Sequence, residues 1–285
     1  MKYEYILNNG IKMPSVGLGV FMLTPTEAYT SVRFALENGC KLIDTAGAYV
    51  NERAVGRAIK DSLVNREDIF VSSKIWASEY GNSNAVEETL NRLNLDYVDL
   101  LFLHQPSNDY DYYLKGYRLL EKAYKEGKIK AIGLSNSEGK YLDFILANCE
   151  IKPQVVQVEC HPYFNQEEWI IDKLIPNNLR LMSWYPLGHG DSKLLNEEVF
   201  KRLASKYNKS VAQIILRWHI DKGFIVIPGS KNLSHVKDNL DILDFSLSND
   251  DLELIDKIHT NTRYYNRNDL RLEQYKSWQP QYEVE

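Results

Sequence analysis

Short apolar runs alternate along the chain with amphipathic stretches of helical period, and the alternation repeats eight times. GLGVF at 17–21, KLIDT at 41–45, IFVSSK at 69–74, YVDLLFLH at 97–104, IKAIGLS at 129–135, VVQVE at 155–159, LRLMSWY at 179–185 and GFIVIPG at 223–229 are short and rich in apolar and β-branched residues. Runs of that kind read as buried strands. Helices are expected between them, at 24–38, 51–63, up to about 93, 114–126, 139–147, 167–175, 197–207, 211–222, from about 232, and at 250–259. The first is announced by Thr24-Pro25-Thr26-Glu27, a capping box with proline at the first helical position. Ahead of the first strand, Asn9-Gly10 between two apolar runs in 3–16 signals a hairpin. The polar, aromatic tail at 261–285 reads as an ordered loop. Eight strands alternating with helices predict a (β/α)8 TIM barrel, taken as one domain over 1–285. No GxGxxG follows a strand, so the doubly wound dinucleotide fold is not indicated.

Three of these runs end in a titratable residue. Asp44, Lys74 and His104 are thirty residues apart each time, about the length of one strand-plus-helix unit. In a parallel barrel they fall at one level, the carboxyl-end face where barrel active sites lie. An acid at the end of a buried strand needs a cation beside it, and Lys74 is the candidate. Tyr49 follows Asp44 in the next turn.

Composition narrows the remaining choices. Net charge is −5, with no basic block, so no nucleic-acid surface is indicated. Cys40, Cys149 and Cys160 are scattered without a CxxC and read as reduced thiols of a cytoplasmic protein. No secretory leader or membrane span is expected from the amino end or from the apolar runs. His104, His161 and His189 follow different strands without ligand spacing, so no metal site is expected.

The four strand-end residues suit one kind of chemistry. A nearby ammonium is expected to lower the pKa of Tyr49, Asp44 holds Lys74 charged, and His104 hydrogen-bonds a carbonyl oxygen. Tyr49 then donates a proton to an alkoxide as it forms from a carbonyl. No side chain supplies the hydride, so a nicotinamide cofactor is implied.

The stretches DTAGAYVNE, SSKIW, LFLHQP, IGLSN, VVQVECHPY, WYPLG and IPGS…DN together resemble the aldo-keto reductases, from LNNGIKMP to about residue 260. Within that family the likeness is strongest to bacterial diketogluconate and methylglyoxal reductases. The resemblance implies a (β/α)8 barrel that reduces small aldehydes or ketones with NADP(H), with Asp44, Tyr49, Lys74 and His104 as catalytic tetrad and Tyr49 as general acid. It implies Ser135, Asn136 and Gln157 at the nicotinamide carboxamide, and Trp184 stacked on the ring, where the family usually has tyrosine. Leu187 and Gly188 are implied near the pyrophosphate, and Ser230, Lys231, Asn232, His235, Asp238 and Asn239 at the adenosine end.

The chain departs from the family pattern in three places. Many members carry a lysine and an arginine where this chain has Gly229 and His235, so two cations for the 2′-phosphate are missing and Lys231 is the substitute. NADP(H) is still expected ahead of NAD(H). The belt over the cofactor is expected to be loose, because Asp191 lacks its lysine and Met22 stands at another basic position. Gln105 and Phe21 replace tryptophans common in the substrate pocket, while Trp76 remains, which predicts a small pocket with aromatic walls and a polar floor, suited to short aldehydes, dicarbonyls or keto-sugars. The expected partner is a small carbonyl compound, with no nucleic acid or membrane, and the chain is expected as a monomer or weak homo-oligomer. The rival readings are a non-catalytic nicotinamide sensor of the same fold and a Schiff-base enzyme using Lys74.

Overall fold

The computed structural model describes residues 4–283; Tyr3 of the expected hairpin and the last two tail residues lie outside them. Strands β1 (Glu4–Ile6) and β2 (Lys12–Pro14) pair antiparallel around Asn9-Gly10, where Gly10 takes φ +87°. Eight parallel strands follow, each beside its predecessor in the chain. They are β3 (Leu18–Gly19), β4 (Leu42–Asp44), β5 (Phe70–Ile75), β6 (Leu100–Leu103), β7 (Ile132–Ser135), β8 (Val155–Glu159), β9 (Arg180–Trp184) and β10 (Ile225–Val226). The sheet curls until its edges meet. Gly17 N donates to Val226 O at 2.9 Å and Val226 N to Ser15 O at 3.0 Å, which closes the barrel predicted from the strand count.

Around it run α1 (Pro25–Glu37), α2 (Glu52–Asp61), α3 (Ala85–Leu93), α4 (Tyr110–Lys125), α5 (Lys140–Asn148), α6 (Glu167–Trp169), α7 (Ser192–Leu195), α8 (Glu198–Tyr207), α9 (Val211–Asp221), α10 (Leu233–Leu240), α11 (Asn249–Asp256) and α12 (Asp269–Ser277). The capping box opens α1 as expected, with Glu27 N donating to Thr24 Oγ1 at 3.3 Å and Thr24 N to Glu27 Oε2 at 3.0 Å. No helix among the described residues is long and apolar enough to cross a membrane.

The apolar residues divide into an outer core between sheet and helices and a separate inner one. The inner cluster holds Leu42, Phe70, Leu100, Phe102, Val155, Met182 and Ile225, with Tyr5, Leu7 and Met13 of the hairpin closing it from below. Side chains of a strand alternate faces with period two. Two steps beyond these inner residues come Asp44, Ser72, Phe102, Gln157 and Trp184, and a further two beyond Phe70 and Leu100 come Lys74 and His104. The barrel interior is thus apolar at the hairpin end and polar at the carboxyl end. Gly133 is part of the fit: a Cβ there would meet the Phe102 ring at 2.2 Å.

Three elements differ from expectation. Helix α4 starts at Tyr110 rather than 114, because the Asp109 carboxylate accepts from Tyr112 N at 3.0 Å and caps it. The helix expected at 167–175 is one turn of α6 followed by a wider π-wound stretch, Ile170–Leu174. The tail expected as a loop contains α12, whose amino end is capped by Asn268 accepting from Arg271 N at 2.9 Å. Only Leu272 of that helix is buried, so the apolar period that announces a helix is missing from its sequence.

Candidate active site

At the carboxyl ends of β4 and β5, Asp44 and Lys74 sit on neighbouring strands and both point inward. Lys74 Nζ donates to Asp44 Oδ2 at 2.6 Å and to Thr45 O at 2.7 Å. The other carboxylate oxygen accepts from Ser72 Oγ at 2.7 Å and, from across the barrel, from Gln157 Nε2 at 3.2 Å. Both members of the ion pair are sealed from solvent, at 0% and 1% side-chain exposure. Burial pulls the Lys74 ammonium below its ordinary value, and Asp44 and then Glu52 draw it back up. Glu52, at the start of α2, is itself held by Arg92 at 2.5 Å and by Ser73 Oγ at 2.5 Å.

Tyr49 lies in the short turn Gly47–Tyr49 after β4. Its ring centroid is 4.8 Å from Lys74 Nζ, 5.5 Å from the His104 ring and 5.0 Å from the Phe21 ring. The expected direction of its pKa is corrected here. Burial pushes the Tyr49 hydroxyl well above its ordinary value, with Asp44 and Tyr185 pushing the same way. Tyr49 is therefore a neutral phenol that keeps its proton. His104 is held neutral as well: burial, and then Lys74, pushes it well below the usual imidazole value. Its Nδ1 is buried without a hydrogen-bond partner, as is the indole N–H of Trp76, whose ring stands edge-on to the imidazole at 4.9 Å.

These residues open into a cavity of about 620 Å³. Asp44, Tyr49 and His104 line it, as do Phe21, Trp76 and Gln105 on the expected substrate side. Ser135, Asn136, Gln157, Trp184, Leu187 and Ser230 line the rest. Lys74 contacts Asp44 and the Tyr49 ring, and Gly188 is buried in the turn that follows Leu187. The remaining expected residues stand outside the cavity. Lys231 is 72% exposed and ion-paired with Glu27 at 3.3 Å. The Asn232 side chain caps α10, accepting from Ser234 N at 3.0 Å. His235 and Asp238 are exposed, and Asn239 is buried.

The polar side chains around Trp184 bond to one another. Asn136 Nδ2 donates to His104 O and to Ser135 Oγ, both at 3.1 Å, and its Oδ1 accepts from Trp184 Nε1 at 3.2 Å. Ser135 Oγ reaches Gln157 Oε1 at 3.4 Å. Met22, Val50, Asn136, Tyr185 and His189 all have φ between +52° and +63°. Val50 closes the turn that carries Tyr49, the other four line the cavity, and non-glycine residues adopt that conformation seldom. Backbone strain of this kind gathers at ligand sites.

Sequence reasoning missed four walls of the cavity: Tyr185, Tyr265, Tyr275 and Trp278. Tyr185 stacks on His189 at 4.3 Å. Tyr275, on α12, and Trp278, just past its end, both stand edge-on to Trp76, at 5.0 and 5.2 Å. Gln105 is less free than expected, since its Oε1 accepts from Tyr265 Oη at 3.4 Å. These rings extend the aromatic walls expected from Phe21, Tyr49 and Trp76. Asp191, expected in a loose belt, accepts from the Tyr264 hydroxyl and from Lys193 N at 2.7 Å, and Met22 is exposed. Among the described residues no group of histidine, cysteine, aspartate or glutamate is placed to hold a metal.

Comparison with known proteins bears on this geometry directly. The chain is 44% identical to the glyoxal reductase of Bacillus subtilis (strain 168) over 90% of its own length and 93% of the relative's. It is 36% identical to the methylglyoxal reductase DkgA of Escherichia coli (strain K12) over 90% and 94%. Among solved structures it is similar to an aldo-keto reductase enzyme from a Medee basin deep-sea metagenome library, with a TM-score of 0.89 and 39% identity over 92% of this chain and 97% of that one. A family model described as the aldo/keto reductase family matches residues 15–260. With the barrel, the buried Asp44–Lys74 pair and the polar carboxyl-end face in agreement, the chain belongs to the aldo/keto reductase family.

Proposed function

We infer that this protein reduces small aldehydes and ketones, dicarbonyls and keto-sugars among them, to alcohols. The observation that carries the reading is the buried Lys74 ammonium, held between the Asp44 carboxylate and the Tyr49 ring beside a neutral His104. Ser135, Asn136, Gln157 and Trp184 would hold a reduced nicotinamide, which would supply the hydride. Tyr49 hands its proton to the carbonyl oxygen as negative charge builds there. His104, neutral, donates a hydrogen bond to the same oxygen and orients it. Lys74 stabilises the phenolate that Tyr49 becomes, and Asp44 keeps Lys74 charged and in place. Phe21, Trp76 and Gln105 hold the substrate. Leu187 and Gly188 face the pyrophosphate, and Ser230, Lys231, Asn232, His235, Asp238 and Asn239 receive the adenosine end, with NADP(H) ahead of NAD(H). Reduced thiols at Cys40, Cys149 and Cys160 accord with a cytoplasmic setting.

The relatives named for glyoxal and methylglyoxal reduction point to the first substrate to try. Purified protein is mixed with methylglyoxal and either NADPH or NADH, and absorbance of the reduced nicotinamide is followed. Oxidation is expected, and in Tyr49→Phe it is expected to fall by about 10²–10⁴-fold, the usual worth of a positioned general acid. Oxidation that persists in the variant would remove Tyr49 from its role. None with either cofactor, despite binding seen as tryptophan quenching, would favour a narrower substrate or a sensor.

A further inference from the structure

We propose that Arg267, on the tail beyond the family-matched region, is a positioning residue that clamps the backbone of Asn136 and through it fixes the ring-binding face of the site; the role in catalysis rests on the function inferred above. Asn136 has φ +57°, a conformation that asparagine tolerates better than most residues but that its surroundings must hold. Its N–H donates to Gln157 O at 2.9 Å. Its carbonyl accepts from Arg267 Nη1. With both ends of its backbone held, its side chain reaches His104 O, Ser135 Oγ and Trp184 Nε1. One residue thus joins the backbone of His104 to the Trp184 indole, and Arg267 fastens it from the tail.

Arg267 is itself fixed. It is 12% exposed and ion-paired at 3.2 Å with Glu138, which is equally buried. Arg263 pairs with the same carboxylate and lies 3.6 Å from Glu159. The Glu159 carboxylate also accepts from Tyr264 N at 2.6 Å and from Tyr265 N at 3.0 Å. Two acids on the rim at β7 and β8 therefore seize residues 263–267 of the tail and deliver one guanidinium to the Asn136 carbonyl. The family match ends at residue 260, so this clamp belongs to a segment outside it.

The test separates a clamp on Asn136 from a tail that merely covers the site. Arg267→Ala and Arg267→Lys are compared with Lys276→Ala, which cuts the tail's ion pair to Asp109 without touching Asn136. Dissociation constants for NADPH and NADH are read from tryptophan quenching, kcat and KM with methylglyoxal, melting temperature from circular dichroism, and amide exchange of peptides covering 134–138 from mass spectrometry. Arg267→Ala is expected to speed exchange in 134–138, to weaken both cofactors about tenfold, the effect of losing one charged hydrogen bond, and to change kcat less than KM for the cofactor. Arg267→Lys is expected to recover most of the loss, and Lys276→Ala to match the wild type. Unchanged exchange at 134–138 in Arg267→Ala would overturn the clamp, as would equal cofactor weakening in Lys276→Ala. Should the wild type bind neither cofactor, the exchange data still decide the clamp while the functional reading fails separately.

Discussion

The two ends of the cavity are built on opposite terms. At the Tyr49 end every charge is buried and matched: Lys74 and Asp44 are sealed at 2.6 Å, with Ser72 and Gln157 completing the carboxylate. At the Ser230 end the charges are exposed, and the ion pair of Lys231 with Glu27 joins two surface side chains. A buried charge cannot change without a large penalty, whereas an exposed one changes at little cost. Under the function proposed above, the chemical step falls at the end that cannot change, and the preference between cofactors at the end whose side chains can be exchanged.

The largest expected break in that contrast comes from Lys74→Met. It leaves the Asp44 carboxylate buried without its cation, which costs about 3–5 kcal/mol of stability. Urea unfolding measures it, and Asp44→Asn in the same background is expected to recover much of the loss, because the two residues act as one unit. A Lys74→Met protein as stable as the wild type would show that the pair is not the buried constraint its geometry implies.

Acid sharpens the comparison by a smaller amount. Burial holds His104 well below the ordinary imidazole value, so below about pH 6.5 the unfolded chain binds a proton that the native site refuses. Stability is then fully present above pH 6.5 and falls as pH drops, by at most about 1.4 kcal/mol per pH unit for one group. His219, which burial pushes down to about 4, adds a slope of the same sign. His104→Gln is expected to lose one proton's share of the slope between pH 7 and 5.5 while retaining the share of His219. Equal slopes in variant and wild type, read by urea unfolding at several pH values, would mean that His104 titrates normally.

What was legible in the sequence follows the same division. Asp44, Lys74 and His104 could be found because they are inward strand residues, where the period of two and the thirty-residue repeat fix direction and level together. The pKa of Tyr49 could not, since it depends first on burial by residues far apart in the chain and then on Asp44 and Tyr185. Helix α12 was missed because it buries little and rests on a cap, Asn268, rather than on an apolar stripe. With it went Tyr275 and Trp278, which add to the aromatic walls expected from Phe21 and Trp76. Gly229 was read only as a lost cation. The structure adds a steric reason: a Cβ there would meet Gly19 O at 2.7 Å, where the barrel closes, so a lysine cannot simply be restored.

The exposed end is where the smallest change has the clearest readout. His235→Arg adds a guanidinium at an exposed position on α10 and is expected to shift the ratio of NADH to NADPH dissociation constants about tenfold toward NADPH, the worth of one charged contact to phosphate. Glu27→Gln acts on the same balance indirectly. It removes the carboxylate that holds Lys231, freeing that ammonium for a 2′-phosphate, while the amide still accepts from Thr24 and keeps α1 capped. A shift of about two- to fivefold toward NADPH is expected, in keeping with a screened surface charge, and raising salt should erase it. If Glu27→Gln instead weakens both cofactors equally, Glu27 shapes the loop rather than the charge, and Lys231 is not the substitute cation.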